Sequence, residues 1–286
     1  MAGNIVSMQA VIPVTGQSYT DLRPTISADS IEEYREQLAE VGRLAGNEQF
    51  VNRMIQNRAG KTKVMTNGGE LYFDPVEHTY ETAEGEKFWT GSTWAHQFEK
   101  PFDPQLIAPK AAEKKLTTVE EVIAGWDMKS EVSLLYGTTV HKALECGIKY
   151  NEIPNNPHLA TLVQDYLDMT HDDTQYSEQF VASIKDKMCG TIDVLVDKGK
   201  KHVIIRDFKT GDIYKKVQLT PEAKELWPQL ENKMVSIYQL QLSFYAYLLT
   251  QLGYHVDGLE IWAESAEAWQ VVKIPVLDIR KALEAE

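Results

Sequence analysis

Three consecutive runs, Tyr176–Ser183, Met188–Asp197 and Lys201–Phe208, constrain this chain more than any other feature. They read as strands, and the last two are separated only by Asp197-Lys198-Gly199-Lys200, a good hairpin turn. A hairpin this apolar needs other elements to cover it. Helical patterns stand on both sides in sequence. One begins at the capping box Thr118/Glu121 and runs, with a break expected at Gly125, to about Tyr150; another follows the Pro154–Pro157 loop to about Asp168. A long helix is expected over about Glu231–Leu252, then strands at Gly258–Ala263 and Trp269–Ile274 and a short helix after Pro275. Helix, three strands, helix, two strands predicts an α/β fold with a central mixed sheet flanked by helices.

Upstream, Asn67-Gly68-Gly69 precedes strand-like pieces at Glu70–Phe73, His78–Glu81 and Lys87–Trp89, and Phe102-Asp103-Pro104 opens a helix through Lys115. Residues 1–66 read as an N-terminal extension, partly helical: Ser30 and Glu33 make a capping box before the stripe Ile31, Tyr34, Leu38, Val41, Leu44. Residues 67–286 then form the main domain.

No run of apolar residues is long enough to span a bilayer, and the first twenty residues lack a basic leader with an apolar core, so a cytoplasmic protein is expected. Two cysteines, Cys146 and Cys189, suit buried thiols in a reducing compartment, and are too few for a four-cysteine iron–sulfur cluster. The net charge of −13 argues against a general nucleic-acid binder. It is unevenly spread, however. Lys185 to Lys216 carries nine Lys/Arg against five Asp, whereas Gln17 to Phe50 carries three Arg against seven Asp/Glu. Because screening cuts off exposed charges beyond about 8–10 Å, a local basic lining can still engage one strand of nucleic acid.

The chemistry-bearing residues begin with Ile204-Ile205-Arg206-Asp207-Phe208-Lys209-Thr210-Gly211. An apolar strand ends in a carboxylate, and alternation puts the lysine two positions later on the same face. On the neighbouring strand, Gly190-Thr191-Ile192-Asp193 supplies a second carboxylate. Two adjacent carboxylates repel unless a cation lies between them, and Mg2+ is the oxygen-seeking cation that such pairs hold. Taken alone, an Asp-x-Lys is more often a surface ion pair. Gly137, His141 and Glu145 recur every fourth residue and share one helical face, where Gly137 suggests a close approach by another group. On the long helix, Gln241 is the polar member of the stripe Tyr238, Gln241, Tyr245, Leu248, Leu252. Glu178 is a charge on a strand otherwise suited to burial.

In this order and spacing the residues resemble the RecB-like branch of the PD-(D/E)xK nuclease superfamily. The matching pieces are the helical Gly137-xxx-His141-xxx-Glu145, Glu178, Gly190-xx-Asp193, Asp207-x-Lys209-Thr210-Gly211 and Gln241-xxx-Tyr245. Upstream, His78-Thr79-Tyr80 and Gly91-Ser92-Thr93 before Pro101-Phe102-Asp103 look like the lead-in of phage-type exonucleases of that branch and of the mitochondrial genome-maintenance exonuclease. The likeness spans roughly residues 70 to 275.

The resemblance implies a restriction-endonuclease-like core and a metal-dependent DNA exonuclease that acts on single strands or exposed ends in recombination, repair or phage DNA processing. It implies that His141, Asp193, Asp207 and the Phe208 carbonyl ligate Mg2+, with Mn2+ as a possible substitute and no iron–sulfur cluster. Lys209 becomes the catalytic lysine, and Glu178 orients it or a metal-bound water. Gln241, Tyr245, Ser92, Glu145 and Gly137 support the site or the substrate. A recombination or replication protein is an expected partner besides DNA. Trp94, Tyr136 and Phe98 are candidates to stack on bases. Two other readings stay open: a silent DNA-end-binding or anti-defence module, and an endonuclease of restriction or repair type.

Overall fold

The computed structural model of the protein describes residues 62–66, 69–74, 79–266 and 268–284. The expected helix after Ser30, and His78 of the lead-in, lie outside them. The strands are β1 (Thr62–Thr66), β2 (Gly69–Asp74), β3 (Thr79–Glu81), β4 (Lys87–Thr90), β5 (Thr174–Ser183), β6 (Met188–Gly199), β7 (His202–Lys209), β8 (His255–Ser265) and β9 (Ala268–Ile274). The helices are α1 (Gly91–His96), α2 (Pro104–Lys115), α3 (Val119–Tyr150), α4 (Pro157–Met169), α5 (Pro221–Leu226), α6 (Met234–Gln251) and α7 (Arg280–Leu283). The strands form one mixed sheet in the order β1-β2-β3-β4-β6-β7-β8-β9, with β5 also paired to β6. The expected α/β architecture is therefore present.

Local chemistry explains where most elements begin. Asp103 caps α2 through its side chain with proline in the first turn, and Asn156 caps α4 in the same way. Thr118 and Glu121 form the anticipated capping box of α3. That helix continues unbroken through Gly125 for 32 residues, a correction to the expected break. A single exposed glycine costs about 1 kcal/mol, too little to interrupt a helix nucleated by a good cap and held by packing further along.

The hairpin turn also falls elsewhere than expected. Gly199 pairs with His202, so the two-residue loop is Lys200-Lys201, both with positive φ (52° and 65°), as a type I′ turn requires. Gly199 itself, at φ 83°, takes up a register shift after Asp197. Strand β1, in the stretch assigned to the extension, is paired with β2. The short helices α1 and α5 carry no period long enough to read.

Two cores sandwich the sheet. On one face α1 and α6 bring Trp94, Phe98, Ile237, Leu240 and Phe244 onto Ile192, Leu195, Val203, Ile205 and Ile261. On the other, α3 and α4 bring Val140, Leu144, Leu162 and Tyr166 onto Val194, Val196, Phe208, Trp262 and Trp269. Each such side chain taken fully from water contributes about 1.5–3 kcal/mol. Ile192 and Val194 are two residues apart yet belong to opposite cores, so the alternation of β6 changes phase at Asp193. Cys146 and Cys189 are both buried free thiols. Among the described residues no helix is long and apolar enough to cross a membrane.

Candidate active site

The site arises where the sheet splits. Along one edge of β6, β4 pairs only at Met188 and Cys189, and β7 pairs only from Val194 onward. Between them that edge of Gly190–Asp193 has no strand partner among the described residues. Beyond Arg206, β7 leaves β6 and stays paired to β8 alone, through Asp207, Phe208 and Lys209. The backbone groups freed by this divergence must find other partners. The Phe208 N–H donates to Asp193 Oδ2 at 2.8 Å, and the Phe208 carbonyl lies 3.0 Å from His141 Nε2. His141 reaches the fork from α3 with Nδ1 3.4 Å from Asp193 Oδ2, and its ring stands edge-on to Phe208.

The opposite edge of β6 adds the next acid. Ser177 pairs with Val194 and Gln179 with Ile192, but Glu178, which should face Asp193, has φ 52° and leaves the ladder. A left-handed non-glycine inside a strand costs on the order of 1–3 kcal/mol. The kink sends its carboxylate toward Asp193 and His141: one ligand atom from each of the three lies within 4.8 Å of the others.

Alternation along β7 puts Asp207 and Lys209 on the α6 side. Lys209 Nζ is 2.6 Å from Asp207 Oδ2 and 4.5 Å from the centre of the Tyr238 ring. Asp207 is buried and Lys209 half-buried. Asp207 Oδ2 is buried and takes the Lys209 ammonium as its partner. Tyr245, one helical turn after Gln241 and bonded to it by side chains, lies beneath the same residues. A Cβ added to Gly91 would come within 2.6 Å of the Tyr245 ring, and one added to Gly190 within 2.7 Å. The ring is thus gripped between the start of α1 and the first residue of Gly190-xx-Asp193. A Cβ on Gly137 would meet Thr210 Oγ1 at 3.3 Å, which is the close approach its place in a helix suggested.

Charges this close cannot all keep ordinary affinities for protons. Burial, helped by Asp193, lifts Glu178 to about 7. Burial also lifts Asp207 to about 6, against Lys209 and with Asp193 adding to the rise. Burial would raise Asp193 too, but His141 and Lys209 outweigh it and hold that carboxyl below the usual range. Burial opposes the His141 imidazolium, yet Asp193 prevails and lifts it to about 9. Carboxylates driven apart in this way mark a site that a cation would relieve. The donor set suits a divalent cation: Asp193 and Glu178 offer carboxylate oxygens and His141 an imidazole within 4.8 Å of one another, with the Phe208 carbonyl beside His141.

Other expected residues lie further out. Glu145 is tied to Lys142 and Lys149 at 2.6 and 2.7 Å. Ser92 is exposed in the first turn of α1, with Oγ 3.3 Å from Thr90 Oγ1, and it is Thr90 that caps the helix. Trp94 and Phe98 are buried among Trp227 and Phe244, so the expectation that they stack on bases is wrong: core packing claims them. Tyr136 donates to Glu264 at 2.6 Å and lies half-buried against His158. Tyr238, expected only as a member of the stripe, lies under Lys209, and Gly91, expected only in the lead-in, packs against Tyr245. The seven-residue spacing of Tyr238 and Tyr245, two helical turns, was the available signal.

No family model matches the chain, and no curated protein matches it. The solved structure of SSO0001 is similar over 68% of this chain and 78% of that one, at 12% identity and a TM-score of 0.27. A likeness that slight carries no argument.

Proposed function

We propose that the protein is a metal-dependent DNA nuclease, acting as an exonuclease on single-stranded or exposed ends, with the reaction at the fork between β6 and β7. The observation that carries this reading is the triad His141, Glu178 and Asp193, whose ligand atoms lie within 4.8 Å of one another, with the Asp207–Lys209 ion pair electrostatically coupled to it at the same break in the sheet. The Gly190-xx-Asp193 and Asp207-x-Lys209 pieces that resemble RecB-like nucleases are the residues that border that break. A structural ion pair between Asp207 and Lys209 would not need the backbone kink that brings Glu178 to Asp193.

Asp193 and Asp207, with the Phe208 carbonyl and His141, would hold Mg2+ or Mn2+. Such an ion supplies Lewis acidity toward a phosphate oxygen and lowers the pKa of a bound water. Asp193 also fixes the Phe208 backbone, and so the direction in which Asp207 and Lys209 leave β7. The Lys209 ammonium is kept in register by Asp207 on one side and the Tyr238 ring on the other. It would offset negative charge developing on the scissile phosphate. Glu178 would accept a hydrogen bond from the attacking water or orient it. Tyr245 and Gln241 support the floor beneath Asp207. A DNA strand is the substrate that the basic stretch Lys185–Lys216 would attract to an otherwise acidic protein.

The test is digestion of end-labelled single-stranded and duplex DNA, and of closed circles, with Mg2+, Mn2+ or EDTA. Shortening from ends that requires metal and is abolished by Asp207→Ala supports the reading. Cutting of closed circles replaces exonuclease with endonuclease. Absence of cleavage with either metal on every substrate, by correctly folded protein, refutes the catalytic reading in favour of a DNA-end-binding module.

A further inference from the structure

At the end of the sheet away from the fork, the first residues of β7 and β8 bring two imidazoles and a carboxylate together. His202 and His255 are register partners in the parallel pair β7·β8. Their rings stack at 4.7 Å with 18° between planes. Nδ1 of His202 lies 2.8 Å and Nδ1 of His255 3.1 Å from the same oxygen, Asp257 Oδ1. The register shifts by one residue after Val256, so Asp257 is the extra residue of a bulge. Bulges re-aim side chains, and this one leaves the carboxylate facing both rings.

We propose that His202, His255 and Asp257 bind a borderline transition-metal cation of the Zn2+ class, at a site separate from the fork. Two imidazole nitrogens and one carboxylate oxygen make a three-ligand set with a fourth position open to water, which suits Zn2+ and disfavours Mg2+. One ligand atom from each residue lies within 4.8 Å of the others. Tetrahedral ligands at Zn2+ distances are about 3.2–3.5 Å apart, so the two Nδ1–Oδ1 contacts need open by only a few tenths of an ångström. All three side chains are partly open to solvent, so an ion can reach them without unfolding. The scaffold is already ordered: His255 N–H donates to the Lys201 carbonyl at 2.8 Å, and strand pairing holds both histidine backbones.

His202 begins β7 and Lys209 ends it, so strand rise alone separates this cluster from the fork by about 20 Å. A cation here would not touch the reacting atoms. It would clip the Lys200-Lys201 turn to the connection between α6 and β8, two surface segments joined there by few backbone bonds.

The experiment uses the full chain, stripped of metal and titrated with Zn2+ by calorimetry, with Co2+ absorption as a second reading of the same site. His255→Gln and His202→Gln alter solvent-facing positions, and circular dichroism checks that each variant is folded. Wild type should bind one more equivalent of Zn2+ than either variant, or bind that equivalent at least about 10–100-fold more tightly, the loss that even an outer-shell partner causes. Zn2+ should also raise the melting temperature of the wild type more than that of either variant. Zn2+ that binds at His141 contributes equally to all three proteins and cancels. Equal stoichiometry and affinity in wild type and folded variants overturns the proposal, as does a wild type that binds no Zn2+.

Discussion

Tyr245 is held between two glycines, and Gly190→Ala measures how tightly. The new methyl would lie 2.7 Å from Cε1 and 3.1 Å from the hydroxyl of Tyr245. The ring has little room to shift, because Gly91 also crowds these atoms: a Cβ there would meet Cζ at 2.6 Å. Alanine is intrinsically better than glycine in a strand by about 0.5–1 kcal/mol. Overpacking a closed core costs about 1–3 kcal/mol, and the rigid ring puts this site at the upper end. The net expectation is a loss of about 2–2.5 kcal/mol, the upper-end overpacking cost less the propensity gain. With a urea slope of about 2 kcal/mol per molar, the midpoint falls by about 1 M. The partner substitution decides whether the ring is the cause. Tyr245→Ala alone costs about 3–5 kcal/mol, the range of large aromatic truncations. Adding Gly190→Ala to that background should then cost nothing and return up to about 0.5–1 kcal/mol, since the methyl enters the vacated space. Urea unfolding of the four proteins gives the coupling directly. A single variant as stable as the wild type, or an equal loss with and without the Tyr245 ring, would refute the argument.

Glu178→Gly should stabilise the fold by up to about 1 kcal/mol, since relief of the left-handed strain exceeds the added entropy of glycine in the unfolded chain, while DNA cleavage is lost; a lower melting temperature would show that φ 52° is not strained. Partial burial works against the Asp173 carboxylate, but Lys198 and Arg206 hold its carboxyl below the ordinary range. A depressed folded pKa contributes stability that is present above the unfolded value, about 3.9, and lost as pH falls through the folded one. The stability gap between wild type and Asp173→Asn should therefore be full at pH 6 and close below about pH 4, and a gap independent of pH would contradict the pairing. Arg206→Met should cost about 3–5 kcal/mol in urea unfolding because it leaves Glu260 buried without its 2.7 Å partner. Mg2+ at ten times its dissociation constant should stabilise the wild type by about 1.4 kcal/mol, and Asp193→Asn should show no such shift in thermal melts.

What the sequence determined by itself was whatever depends on near neighbours in the chain. The strand runs, the caps Asp103 and Thr118 and the four-residue spacing of Gly137, His141 and Glu145 were legible because alternation, capping and helical periodicity act over a few residues. So was the pairing of Asp207 with Lys209 on one face of β7. Only the tertiary structure decided the fork. Nothing local says that β4 and β7 share an edge of β6 and diverge at Gly190–Asp193, because strand neighbours separated by about a hundred residues are chosen by the packing of whole faces. The same holds for Trp94 and Phe98, whose aromatic rings suggested a substrate surface until α6 and α5 closed over them. Glu178 is the sharpest case: its charge was visible in the strand, but its left-handed backbone exists only because strand pairing on either side fixes the residues that flank it.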